Sequence, residues 1–180
     1  MSLKMRFMPI LLAFSACLFA APSDAFGVTT VVVVRHAEKV IEAENRDPLL
    51  TDAGNERAEA LARLLRDVPI EAVYSSSYKR TRLTAAPAAK QAGIEVRIRD
   101  PRDSEGLRDE ILEEHAGGAV LVVGHSNTVP SVLAALGIED PPAIADDAYD
   151  DCFLVLVPEE GEPALLHLHY GAISADPVPE

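Results

Sequence analysis

Apolar and polar positions follow two rhythms along this chain, and the changes of rhythm mark its elements. Val28 to Val34 is an unbroken β-branched run, the pattern of a strand covered on both faces of a sheet. Asp52 to Arg66 places Ala53, Ala58, Leu61, Leu64 and Leu65 on one helical stripe, with Thr51 as its N-cap. Glu71 to Tyr74 reads as a short strand, and Lys79 to Ala92 as a helix stopped by Gly93. Pro87 counts against that helix because it removes a backbone donor. Ile94 to Ile98 alternates as a half-exposed strand does.

The second half repeats the pattern. Ser104 is expected to cap a helix running to His115, stopped by Gly117-Gly118. Ala119 to Val123 is a buried strand, and a helix follows from about Thr128 to Leu136 with Pro130 in its first turn. After the break at Glu139-Asp140-Pro141-Pro142, Phe153 to Val157 and Ala164 to His169 form two strands joined through Glu159 to Glu162. Alternating strands and helices predict an α/β fold in three layers: a mainly parallel sheet, helices on both faces, and an antiparallel edge hairpin.

The N-terminus breaks this rhythm. Lys4 and Arg6 precede an apolar run from Ile10 to Ala21, and Ser23-Asp24-Ala25 puts small residues where a signal peptidase reads. This is the layout of a secretory signal, too short for a comfortable membrane span. Residues 1–25 are therefore expected to be a signal peptide and residues 26–180 a single exported domain, periplasmic or secreted, with no stable membrane insertion after cleavage. A retained anchor and lipidation at Cys17 are the alternatives. Without the signal, Cys152 stands alone beside the apolar run 153–157, which suits a core residue better than a nucleophile.

A net charge of −13 argues against nucleic acid as a partner, because a nucleic-acid binder needs a basic face. An acidic chain that handles an anion must collect its positive charge in one pocket, and the strand ends do this. In such sheets ligands bind beyond the carboxyl ends of the strands. Arg35-His36 follows the first strand, Gly124-His125 follows the strand at 119–123, and Ser75-Ser76-Ser77 leads to Lys79-Arg80-Thr81. Guanidinium forks suit a phosphate dianion, and a neutral imidazole is a competent nucleophile towards phosphorus. Arg35, Arg80 and a donating His125 are the groups expected to stabilise the oxygens of the transferring phosphoryl group.

Four blocks carry a family resemblance. Arg35-His36-Ala37-Glu38 resembles the Arg-His-Gly signature of the histidine phosphatase superfamily, also called the phosphoglycerate mutase-like family. Leu50-Thr51-x-x-Gly54, Ser75-Ser76-x-x-x-Arg80-Thr81-x-x-Thr84-Ala85 and Gly124-His125-Ser126-Asn127 resemble its later blocks in order and spacing. The resemblance implies that His36 is the phosphorylated nucleophile, that Arg35, Arg80 and His125 hold the phosphoryl oxygens, and that Asn127 adds a polar contact to substrate. The chain departs from the family in carrying Ala37 for Gly, and Ser126 where one branch has its acidic proton donor. Glu105 is then the candidate proton donor, with Glu38 as its competitor.

The activity implied is that of a metal-independent phosphomonoesterase of the short phosphatase type, acting on a small phosphorylated substrate without a cofactor. A mutase-like phosphotransferase is the near alternative, and a non-catalytic phosphate-ligand binder the alternative of a different class. His167 and His169 share one face of a strand, a spacing that could hold a metal but lacks a clear third ligand. A zinc-dependent hydrolase built on them is the remaining rival. His115 reads as structural, and Lys79 and Arg82 as solvated. Oligomeric state leaves no mark in the sequence.

Overall fold

A computed structural model describes residues 27–174; the expected signal segment, residues 1–25, lies outside them. Six strands form one sheet: β1 (Thr29–Arg35), β2 (Ile70–Ser75), β3 (Val96–Ile98), β4 (Ala119–Gly124), β5 (Asp151–Val157) and β6 (Ala164–His169). Their order is β3-β2-β4-β1-β5-β6. The first four are mutually parallel, whereas β5 runs antiparallel to β1 and β6 antiparallel to β5. The expected edge hairpin is therefore there, and the architecture is the three-layer α/β fold.

Alternate residues of the central strands feed two cores. Val31, Val33, Val120, Val122 and Phe153 pack under α3 (Ser104–Glu114) and α4 (Val129–Ala135). Val32, Val34, Leu121, Val123 and Cys152 pack under α1 (Asp52–Leu64) and α2 (Lys79–Ala92). The period of two in a strand makes this division automatic once helices cover both faces. Cys152 is 2 % exposed, and burial pushes its thiol up to about 11. It is an inert core residue, as the sequence suggests.

Three local expectations need correction. The N-cap of α3 is Asp103, whose carboxylate accepts from the Gly106 amide; Ser104 is already inside the helix. β3 starts at Val96, not Ile94, because Gly93 in the left-handed region (φ 72°) closes α2 and the Ile94 amide still donates back to Ala89. Pro87 does not interrupt α2. It is half-buried beside α1, and the carbonyl that loses its usual donor belongs to Leu83, an exposed residue.

Candidate active site

Register places the two histidines side by side. β1 and β4 pair so that Arg35 lies opposite Gly124, and the His36 amide extends the ladder by donating to Gly124 O at 2.9 Å. His36 and His125, each one residue further on, sit with ring centroids 5.4 Å apart. On the other flank of β4, Ser75 pairs with Val123, which brings Ser76 to the same edge. An open cavity of about 800 Å³ lies there, lined by Arg35, His36, Arg80, His125 and Asn127 together with Lys39, Tyr78, Arg99, Asp100 and Arg102.

Hydrogen bonds decide the state of each ring. The Nδ1 of His36 lies 2.8 Å from the Ala37 carbonyl, which can only accept. Nδ1 therefore carries the proton, and the lone pair of the neutral ring is on Nε2. Neutrality is secured by burial first, with the charges of Arg35 and Arg80 adding to it, and together they bring His36 down to about 3. In His125, Nδ1 faces Nη2 of Arg80 at 3.3 Å. A guanidinium only donates, so this ring is protonated on Nε2 and donates to Ser76 Oγ at 2.9 Å. Ser76 passes the sense of donation to Thr81 Oγ1, and Thr81 donates to the Tyr78 carbonyl. Burial, then Arg80 and Arg35, hold His125 down at about 4. His125 is thus a neutral ring that accepts on the Arg80 side and donates on the Ser76 side.

Both arginines keep donors in reserve. Nη1 of Arg35 donates to the carbonyls of Ala145 and Ala148, so the Asp- and Pro-rich loop between α4 and β5 grips this side chain from behind. The guanidinium of Arg35 rests 4.3 Å from the ring centre of Tyr149, and that of Arg80 4.3 Å from the ring centre of Tyr78. Yet Nε of Arg35 and Nε of Arg80 are both buried with no partner among the described residues. A buried donor left unmade is costly, by about 1–3 kcal/mol each.

The signature blocks have mechanical roles. Ala37, fully buried against Leu50 and Ala58, donates its amide to Thr84 Oγ1, which in turn donates to the Arg80 carbonyl. Thr84 thus ties the nucleophile loop to the helix bearing Arg80. Thr51 caps α1 and its amide donates to Glu38 O, while Gly54 lies so close to the Glu38 backbone that a Cβ would collide with it.

Neither candidate proton donor reaches the pocket. Glu105 projects from α3 into solvent, 69 % exposed, and pairs with Arg108 at 2.9 Å; it is absent from the cavity lining. Its place in the first turn of α3 turns it away from the sheet edge. Glu38 grips Arg57, a side chain only 3 % exposed, through Nε and Nη2. The carboxylate that does line the cavity is Asp100, which Arg102 holds down at about 2. Asn127 lines the cavity and is exposed. His115 is buried against Glu71 and Tyr74, away from the site. Tyr78, Tyr149, Lys39, Arg99 and Arg102 went unsingled by sequence; Tyr78 and Lys39 fall beside the signature blocks, whereas Tyr149, Arg99 and Arg102 carry no local signal.

With this geometry established, similarity to known proteins can be stated. Residues 31–101 match the profile of the histidine phosphatase superfamily (branch 1). The matched stretch, less than half of the chain, resembles that superfamily. Among curated members, phosphoserine phosphatase 1 of Hydrogenobacter thermophilus is 37 % identical over 98 residues, covering 47 % of this chain and 46 % of that protein. The match thus spans about half the length of that relative. Among solved structures, the protein histidine phosphatase SixA complexed with tungstate superposes with a TM-score of 0.65 at 20 % identity, covering 78 % of this chain and 96 % of that one. A putative phosphohistidine phosphatase SixA from Nakamurella multipartitia gives 0.57 at 26 % identity, over 81 % and 98 %. The profile match covers the His36 and Arg80 blocks, and the fold places the His125 block beside them.

Proposed function

We propose that this chain is a phosphomonoester hydrolase that works through a phosphohistidine on Nε2 of His36. The observation that carries the reading is the convergence of a neutral imidazole, its lone pair on Nε2, and two guanidinium groups on one cavity. In the first step, Nε2 attacks phosphorus in line with the departing oxygen, forming an N–P bond as the P–O bond breaks. Arg35 and Arg80 hold the equatorial oxygens, where stabilisation matters most in a loose transition state. Water then attacks the phosphorus of the phosphohistidine, and His36 departs with its lone pair restored on Nε2. A dianion beside Nδ1 of His125 favours protonation of that ring, which then becomes the donor that the family role requires.

The lining also supports a choice of leaving group. A positioned general acid is worth about 10²–10⁴-fold, and Asp100, held ionised by Arg102, is a poor one. Substrates whose leaving group needs no proton from the enzyme, such as an aryl phosphate or a phosphohistidine whose ring already carries its proton, are therefore favoured over alkyl phosphates. Of the substrate types in the relatives' names, phosphohistidine suits this cavity better than phosphoserine. The same deficit keeps the non-catalytic binder as the rival reading. Export is part of the proposal, and the mature N-terminus of the secreted protein should then follow Ala25.

The deciding experiment compares wild type with His36→Ala on an aryl phosphate and on a phosphohistidine peptide. Wild type should turn over both and trap an acid-labile phosphoenzyme, and the variant should do neither. Activity retained in His36→Ala removes the mechanism. Vanadate binding without turnover of the aryl ester by wild type establishes the binder instead.

A further inference from the structure

The closing hairpin gathers a second set of ligand-type side chains. β5 and β6 pair with Asp151 opposite His169 and Phe153 opposite His167. His167 Nε2 lies 2.7 Å from Asp151 Oδ1, and His169 Nδ1 lies 3.7 Å from that same oxygen. Asp150 Oδ2 is 3.4 Å from His169 Nδ1. The donor atoms of Asp151, His167 and His169 all fall within 4.8 Å of one another. The ring of His167 is stacked on Phe153, centroids 4.5 Å apart at 27°, so its direction is already set. Asp151 is the third ligand that the spacing of the two histidines could not reveal.

Charge supports the same conclusion. Asp150 and Asp151 are adjacent carboxylates, each 12 % exposed, in a chain of net charge −13. Among the described residues their ion-pair partners are imidazoles, not Lys or Arg.

We infer that Asp151, His167 and His169 form a three-ligand binding site for a late first-row divalent cation of the Zn²⁺ type. Two imidazoles with carboxylate oxygen suit zinc, copper or nickel, whereas magnesium and calcium prefer oxygen alone. Tetrahedral zinc with bonds near 2.0–2.1 Å needs its donors about 3.3 Å apart. The contacts at 2.7 and 3.7 Å lie on either side of that, and the more distant imidazole, His169, is 62 % exposed and has room to adjust. On binding, the metal takes the position of the proton now shared between His167 and Asp151. The site does not belong to the phosphoryl cavity. It joins β6 to the start of β5, directly after the loop that holds Arg35, so its role is to clamp the edge hairpin and not to carry chemistry.

The test uses the full chain, free of any histidine tag, stripped with a chelator and titrated with Zn²⁺ by calorimetry at pH 7.5. One equivalent should bind and raise Tm, and Co²⁺ in its place should give the visible absorption of a tetrahedral site. His167→Ala combined with His169→Ala should weaken binding by about 100-fold or more, and Asp151→Asn should weaken it as well. Both histidines are exposed on an edge strand, so these variants should keep the wild-type circular dichroism. Aryl phosphatase turnover should survive the chelator, which separates this site from the proposed reaction. Absence of saturable binding overturns the inference. So does undiminished binding by the double variant, which would put the ion elsewhere.

Discussion

Glu38 offers a direct test of how this site is supported. It lies two residues after the nucleophile and was a competitor for the proton donor, yet its carboxylate is spent on Arg57. Nε of Arg57 reaches both carboxylate oxygens at 3.0 Å and Nη2 reaches Oε1 at 2.7 Å. Nη1 donates instead to the carbonyls of Tyr170 and Ala172. Glu38→Ala would strand Nε and Nη2 of a side chain only 3 % exposed. Breaking a buried pair from one side costs about 3–5 kcal/mol. Glu38 is 23 % exposed, so water can partly replace it, and Nη1 keeps its partners; we expect the low end, about 3 kcal/mol. For a domain of this size that lowers Tm by roughly 6–12 °C, within the stability most domains possess. Urea unfolding of wild type, Glu38→Gln and Glu38→Ala measures it, alongside turnover of an aryl and an alkyl phosphate. The stability loss should come with an unchanged ratio of aryl to alkyl rates. A loss under about 1 kcal/mol, or a collapse of the alkyl rate alone, would refute the reasoning and restore Glu38 as an acid.

Two further expectations follow from the same geometry. Gly54→Ala drives a Cβ into the Glu38 backbone, which must move the nucleophile loop; a stability loss of about 1–3 kcal/mol with reduced kcat is expected by urea unfolding and steady-state kinetics, and wild-type values would disprove the contact. The buried rings of His36 and His125, at about 3 and about 4, refuse protons that the unfolded chain accepts below about pH 6.5. The unfolded state then binds more protons, so stability falls as pH falls from 7 to 5, by about 2–4 kcal/mol for the two rings together. Denaturant titrations at both pH values read this, and His36→Gln combined with His125→Gln should flatten the slope; a slope that persists assigns it to other groups.

Much of the fold was legible because its signals are local. The strand runs at 28–34 and 119–123 and the helix at 79–92 are periodic over enough residues to override Pro87. The nucleophile, Arg80 and His125 were legible as well, because strand ends in an α/β sheet deliver residues to one edge whatever the connections. The boundaries that moved, at Ile94 and Ser104, depend on single hydrogen bonds: the Ile94 amide bonded back to Ala89, and the Asp103 side chain bonded to the Gly106 amide.

Sequence by itself determined the layer order of apolar faces and the residue types at the phosphoryl pocket, since both are written in spacing along one chain. Only the tertiary structure decided what each charge does there. Glu105 faces solvent and Glu38 grips Arg57. Asp151 joins two histidines across a hairpin, and the tautomers of His36 and His125 follow from Ala37 and Arg80. An electrostatic role depends on distances of a few ångströms between groups far apart in the chain, and such distances exist only once the sheet has closed its register.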